Sequence, residues 1–241
     1  MKSLRLVAIA LSGVTLYASA QTIQVNRENR TIAITATDKV TTAADVATVN
    51  VGFIAYGPDS NTAYATGSRI SNAIVKALKD FGIPANAIQS ENQAVAPVQP
   101  FQVERLTPAE RAQRQFQVTQ SWTVRTAAEN AARTLDVAVK AGANQSGQIA
   151  WGFNDESIPE AEAAAKALKR ARALAEQMAM SLNVKLGVLL YASNEVQPTP
   201  RPLMRAQITA APTAMENVPP LAINPREIEK SATVYAVFAI E

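Results

Sequence analysis

The spacing of apolar residues in this chain changes period several times, and that alternation constrains the fold more than any other feature. Residues recurring at every second position need a sheet with one buried face; residues recurring every third or fourth need a helix with one buried stripe. Period two governs residues 31–37 and 45–56, the second with Val49, Val51 and Phe53 on one side and Val46, Thr48, Asn50 and Ile54 on the other. Gly57-Pro58-Asp59 then breaks the run. Ala63, Gly67, Ile70, Ile74, Ala77 or Leu78, and Phe81 predict a helix over 60–81, capped by Asp59 or Ser60 and stopped by Gly82 and Pro84. Strands are expected at 87–98 and at 114–125, where Phe116, Val118, Trp122 and Val124 alternate with Gln117, Thr119, Thr123 and Arg125 to leave one wet face.

The rhythm then repeats. Ala128, Ala131, Leu135, Ala138 and Val139 predict a helix over 127–141 that ends at Gly142, and a short strand is expected at 147–153. The longest helix is predicted over 158–182, with Ser157 and Glu160 at capping-box spacing and a stripe of Ala161, Ala164, Leu168, Ala171, Leu174, Ala175, Met178 and Leu182. Strands at 184–196 and 228–240 close the chain. Strand-helix-strand-strand therefore occurs at 45–125 and again at 147–240, which predicts an α+β fold of duplicated units, antiparallel-rich sheets packed against amphipathic helices. Halves at 30–125 and 126–241 are expected within one domain spanning 21–241. An outer-membrane barrel needs a serial run of alternating strands, which the long helices interrupt. Two connections stand out for length, 99–113 and the proline-rich 197–227; the second reads either as a flexible connector or as a contact surface.

Residues 1–20 have the layout of a secretory signal: Lys2 and Arg5, an apolar stretch from Leu6 to Tyr17, then Ala18-Ser19-Ala20. The stretch is too short to span a bilayer, so cleavage before Gln21, release into the periplasm and no transmembrane anchor are expected. With no cysteine in the chain, lipid attachment through a thiol is excluded. Losing Lys2 and Arg5 lowers the formal charge from +3 to one excess positive charge, which offers no electrostatic case for nucleic acid.

The same composition removes most catalytic chemistry. No histidine is present to serve as a general base or as a zinc or copper ligand, and no cysteine to serve as a thiol nucleophile or iron–sulfur ligand. Asp155, Glu156, Glu160 and Glu162 form the densest carboxylate cluster, but they lack the spacing and glycine of a calcium loop and suit the positive end of a helix dipole. Lys166, Lys169, Arg170 and Arg172, with Glu162 and Glu176, read as a solvated helix face. Gly142, Gly147 and Gly152 do not make a phosphate cradle. Trp122 and Trp151 are expected to be structural, and Met178 to be core filler, so that any action against oxidants would be indirect or fall to methionine. No catalytic, cofactor-binding or metal-ligating residue is nominated, and no cofactor is expected.

Ala77-Leu78-Lys79-Asp80-Phe81-Gly82-Ile83, then Ala87-Ile88-Gln89-Ser90, Ala141-Gly142-Ala143-Asn144 and the Ala/Lys/Arg-rich run from Ala163 to Ala175 resemble the SIMPL-domain family over about 30–241. The resemblance implies a periplasmic α+β protein of repeated strand-helix units, akin to periplasmic immunogenic antigens. Some members assemble into large homo-oligomers, with a part in envelope or oxidative-stress tolerance. The expected function is thus non-enzymatic: homo-oligomeric assembly or contact with periplasmic partners. The alternative is a small-molecule or lipid binding module in the sheet–helix seam.

Overall fold

A computed structural model describes residues 30–195 and 219–241; the expected leader and most of the 197–227 connection lie outside them. Eight strands and five helices follow in the order β1 (Thr31–Ala43), β2 (Val46–Gly57), α1 (Ser60–Asp80), β3 (Ile88–Pro97), α2 (Pro100–Val103), α3 (Pro108–Gln113), β4 (Phe116–Ala127), α4 (Ala131–Lys140), β5 (Gln145–Ser146), β6 (Ala150–Gly152), α5 (Ser157–Ser181), β7 (Leu186–Glu195) and β8 (Glu227–Ile240). The α+β expectation holds: two antiparallel sheets each carry helices on one face. One sheet has the order β3-β4-β2-β5, with β6 also on β2, and the other the order β1-β8-β7.

The duplication is real in topology but not where sequence spacing puts it. In the unit β2-α1-β3-β4 the last strand lies between the first and the third, and in β1-α5-β7-β8 it does the same. The second unit therefore takes its opening strand from β1, which pairs with β8 along its whole length from Thr31↔Ala239 to Ala43↔Glu227. The strand expected at 147–153 belongs to the other sheet, where Gln145–Ser146 and Ala150–Gly152 lie on β2. One unit is inserted between the first strand and the helix of the other. Local period reveals a strand but not its partner, and β1 and β8 stand at opposite ends of the chain.

In the inserted unit the expected faces appear. Val49, Val51 and Phe53 of β2, with Val118, Trp122 and Val124 of β4, are buried under Ala63, Ile74 and Leu78 of α1. Phe53 meets Trp122 at 6.0 Å between ring centroids. The close approach of α1 depends on Gly67, where a Cβ would come within 2.8 Å of Val118 Cγ1. Asp59 is the N-cap, accepting from Thr62 N at 2.8 Å, and Gly82 (φ +99°) and Gly142 (φ +115°) end α1 and α4 in the left-handed region that glycine tolerates. The 99–113 connection is partly ordered as α2 and α3, because Thr107, Pro108 and Glu110 supply a capping box with proline at the first helical position.

The stripe expected on α5 is rotated. Ala163, Ala167, Ala171, Ala175 and Ala179 are the residues fully buried against β1 and β8, while Leu174, Met178 and Leu182 are exposed. Met178 is accordingly not core filler. Alanine at every fourth position lets the helix backbone lie close over Ile34, Ala36, Val234 and Ala236, and a larger side chain in that row would hold the layers apart. The capping box expected from Ser157 and Glu160 also fails to form: Glu156 occupies the N-cap position and Ser157 is already helical. Asn183 (φ 55°) takes the left-handed turn after the helix.

Candidate functional site

The clusters nominated by sequence are structural fastenings. Asp155 Oδ1 accepts from Ser157 N at 2.9 Å and Ser157 Oγ at 2.6 Å, and these bonds, the hydroxyl first, hold its carboxyl below the ordinary aspartate range. Glu156 and Glu160 both receive Lys230 Nζ, at 2.9 and 3.4 Å, which ties the start of α5 to β8. The hydrogen bond to Glu156 is the main cause that raises the Lys230 ammonium pKa above its usual value. Glu162 pairs with Lys166 and Arg172 with Glu176 across one helical turn. Arg170 reaches the carbonyl of Thr37 on β1 at 3.5 Å.

Asn144 does more than turn the chain. Its backbone N–H donates to Gly52 O, its Oδ1 accepts from Ile54 N at 2.9 Å and its Nδ2 donates to Ile54 O at 2.9 Å. The side-chain amide thus satisfies the two β2 backbone groups that β5 does not reach. Gly142 sets this up by reversing the chain at the end of α4.

The sheet–helix seam of the inserted unit is filled at its centre by Phe53, Ile74 and Leu78. The larger concavity is instead an open cleft of about 1660 Å³ between the β5–β6 segment and the run leading into β8, walled by Trp151, Asn50, Gln148, Ile223 and Arg226. Trp122 is buried in the core as expected; Trp151 is only partly covered and faces this cleft. Asn50 is already committed to the carbonyl of Gln148, and Glu229 to Lys39. The cleft offers mixed apolar and polar walls for binding.

The most unusual surface lies on the β1-β8-β7 sheet. Of fourteen exposed large apolar side chains among the described residues, nine lie between Ile158 and Tyr191. α5 lies over β1 and β8 and scarcely touches β7. Val188 and Leu190, 69% and 57% exposed, fall at the two irregularities in β7 pairing, and Leu189 and Tyr191 are also exposed. At the opposite margin, Leu174, Met178 and Leu182 flank Ala33–Thr35 of β1 to form an apolar groove of about 490 Å³. Sequence reasoning placed Leu174, Met178 and Leu182 in the core and assigned no face to the β7 side chains. The signal that could have found them is Leu186-Gly187-Val188-Leu189-Leu190-Tyr191, a strand segment without polar alternation that ends up at a sheet margin with little to cover it.

Residues 32–238 match the model of the SIMPL family, described as a protein of unknown function (DUF541). The chain is also similar to the 26 kDa periplasmic immunogenic proteins of Brucella melitensis biotype 1 and Brucella abortus strain S19. Each is 26% identical over 229 residues, covering 94% of this chain and 91% of the relative. Both names place the relatives in the periplasm, the compartment expected from the signal-like layout of residues 1–20. Among the described residues no helix is long and apolar enough to cross a membrane.

Proposed function

The chain belongs to the SIMPL family, and from that premise we propose that this periplasmic protein is non-enzymatic and works by assembling with copies of itself. One observation carries the reading: among the described residues, the β1-β8-β7 sheet ends on both sides in strands with no further strand beside them, flanked by exposed leucine, valine and methionine side chains. Soluble monomers rarely leave contiguous apolar surface at an open sheet margin, since it templates pairing with another chain. A part in tolerance of envelope or oxidative stress would then depend on the state of assembly, because the chain has neither histidine nor cysteine for direct chemistry. Sedimentation velocity or gel filtration with light scattering at micromolar concentration is expected to give a species well above the mass of one copy, at most 25.7 kDa. A clean single-copy mass throughout that range ends the reading, and turnover in a broad hydrolase panel ends its non-enzymatic part.

The cleft beside Trp151 supports a second reading, a binding module for a small ligand. Native mass spectrometry of protein taken from the periplasm would then show a co-purifying mass.

A further inference from the structure

The two faces of the β1-β8-β7 sheet are finished differently. Val234, Ala236 and Phe238 of β8 lie under α5, so Tyr235, between them, projects from the opposite face. The ladder sets Thr35 beside Tyr235 on one side and Ser193 on the other. Tyr191 reaches the same face, since its ring meets that of Tyr235 at 6.2 Å between centroids and 60° between planes. One row along, the hydroxyls of Thr37 and Thr233 bond to each other at 2.9 Å. Side chains from all three strands thus stand together on one face, and every one of them carries a hydroxyl.

This face is open. Thr35 and Thr37 are exposed and Tyr191 is 48% exposed. Among the described residues the hydroxyls of Thr35, Ser193, Tyr191 and Tyr235 have no protein partner. The corresponding face of the other sheet is already engaged: Arg114 lies over the Tyr56 ring at 5.1 Å, and the Thr123 hydroxyl donates to Glu91.

Charge and polarity narrow the occupant. Register places Lys39 and Glu195 near these hydroxyls, and the Lys39 ammonium is met by Glu229, so an anion finds no free cation. A hydrocarbon would leave the hydroxyls unpaired. What fits is an uncharged ligand, hydroxylated at its edges and apolar on its faces, which describes a pyranose ring in its chair form. Its C–H face suits a tyrosine ring, and its equatorial hydroxyls suit side chains that both donate and accept. Adjacent strands are about 4.8 Å apart, close to the length of one unit in a β-linked sugar chain, so three strands match three successive rings.

We propose that this face binds a linear β-linked glycan lying across the strands, with Tyr191 and Tyr235 against sugar rings and the threonine and serine hydroxyls at their edges. The occupant is the sugar backbone of the cell wall, a polymer of that chemistry in the compartment named for the relatives of this chain. The site goes beyond the assembly reading, since it uses a face of the sheet and not its margins.

Isothermal titration with chitohexaose, together with cosedimentation on purified cell-wall sacculi, tests this on protein taken from the periplasm. Chitohexaose is expected to bind, and its disaccharide to bind about tenfold more weakly for want of a second stacked ring. Tyr191→Ala and Thr35→Lys should each lower the association constant for chitohexaose about tenfold. Both positions are exposed, circular dichroism checks the fold, and should one variant fail to fold the other decides. Absence of heat at millimolar chitohexaose overturns the proposal, as does unchanged affinity in the folded variants. A disaccharide that binds as tightly as the hexasaccharide overturns the placement across the strands. Binding of chitohexaose without cosedimentation overturns the wall strand as the occupant. None of these outcomes alters the mass by which self-assembly is judged.

Discussion

β2 and β1 hold the same place in their two units, each paired on one side with the last strand of its own repeat. On the other side their treatment diverges. β2 is lined by Gln145–Ser146, Ala150–Gly152 and the Asn144 amide, whereas among the described residues the free side of β1 meets the long contact from Arg170 and no strand. β3 and β7, the strands that follow the helix in each unit, diverge in the same sense. β3 is polar over Gln89-Ser90-Glu91-Asn92-Gln93, kinks between Ser90 and Asn92 and ends in Pro97, devices that discourage pairing. β7 has its irregularities too, but Val188 and Leu190 stand at them. One chain thus contains both the means of closing a sheet margin and a margin left apolar, so the openness of the β1 sheet is a property of that sheet and not of the fold.

The comparison breaks most readily at the centre of the closed sheet. Phe53→Ala should cost about 3–5 kcal/mol, because the ring is fully buried against Trp122 and its removal leaves a cavity. Leu190→Ala at the open margin should change the stability of dilute protein by less than about 0.5 kcal/mol. Urea denaturation measures both, and equal losses would erase the distinction between the sheets.

Gly67→Ala is expected to lower stability by about 1–3 kcal/mol, since its Cβ must push Val118 away from the helix. The melting temperature reports it. Asn144→Ala should cost about 1 kcal/mol by freeing Ile54 N and O. It should also make the closed sheet behave more like the open one, with added self-association visible in sedimentation velocity. Thr134 offers a change of opposite sign. Its hydroxyl is wholly buried in α4 with no hydrogen-bond partner, so Thr134→Val should be neutral or stabilise by up to about 1 kcal/mol.

The smallest effect is expected from pH. Without histidine or cysteine the chain lacks the side chains whose ordinary pKa lies near neutrality, so stability and assembly should both be flat between about pH 6 and 8. On the acid side Asp59, held low first by the Thr62 backbone N–H and then by its hydroxyl, contributes stability that is present above the ordinary aspartate pKa. That contribution is lost as pH falls through the lower folded value. Asp59→Asn should therefore flatten the acid limb of a stability profile measured by thermal melts, and an unchanged slope would remove Asp59 from the account.

The strands and helices of the closed unit were legible because each buried face is written with large side chains at one period, as in Val49, Val51 and Phe53. α5 was harder. It carries two interleaved rows, one of alanines and one of Leu168, Leu174, Met178 and Leu182, and hydrophobicity favours the second. Packing chose the first, because only small side chains admit the close approach to β1 and β8. The same choice left Leu174, Met178 and Leu182 at the surface and created the candidate site, so the site was hidden by the assumption that large apolar residues go inside. The partner of β1 was not legible at all, since two strands that meet across the length of the chain share no local signal.

The insertion also imposes an order in time. Residues 46–152 contain every described strand of their own sheet and can close as soon as they have been delivered, whereas Thr31–Ala43 must wait for Glu227–Ile240, far along the chain. Pairing over such a separation is slow, because the entropy of joining distant segments is lost before any bond repays it. During that interval a nascent molecule would present a finished core trailing one unsatisfied ribbon, and the C-terminal strand would act as the latch whose arrival decides whether that ribbon is completed within its own molecule or captured by a neighbour.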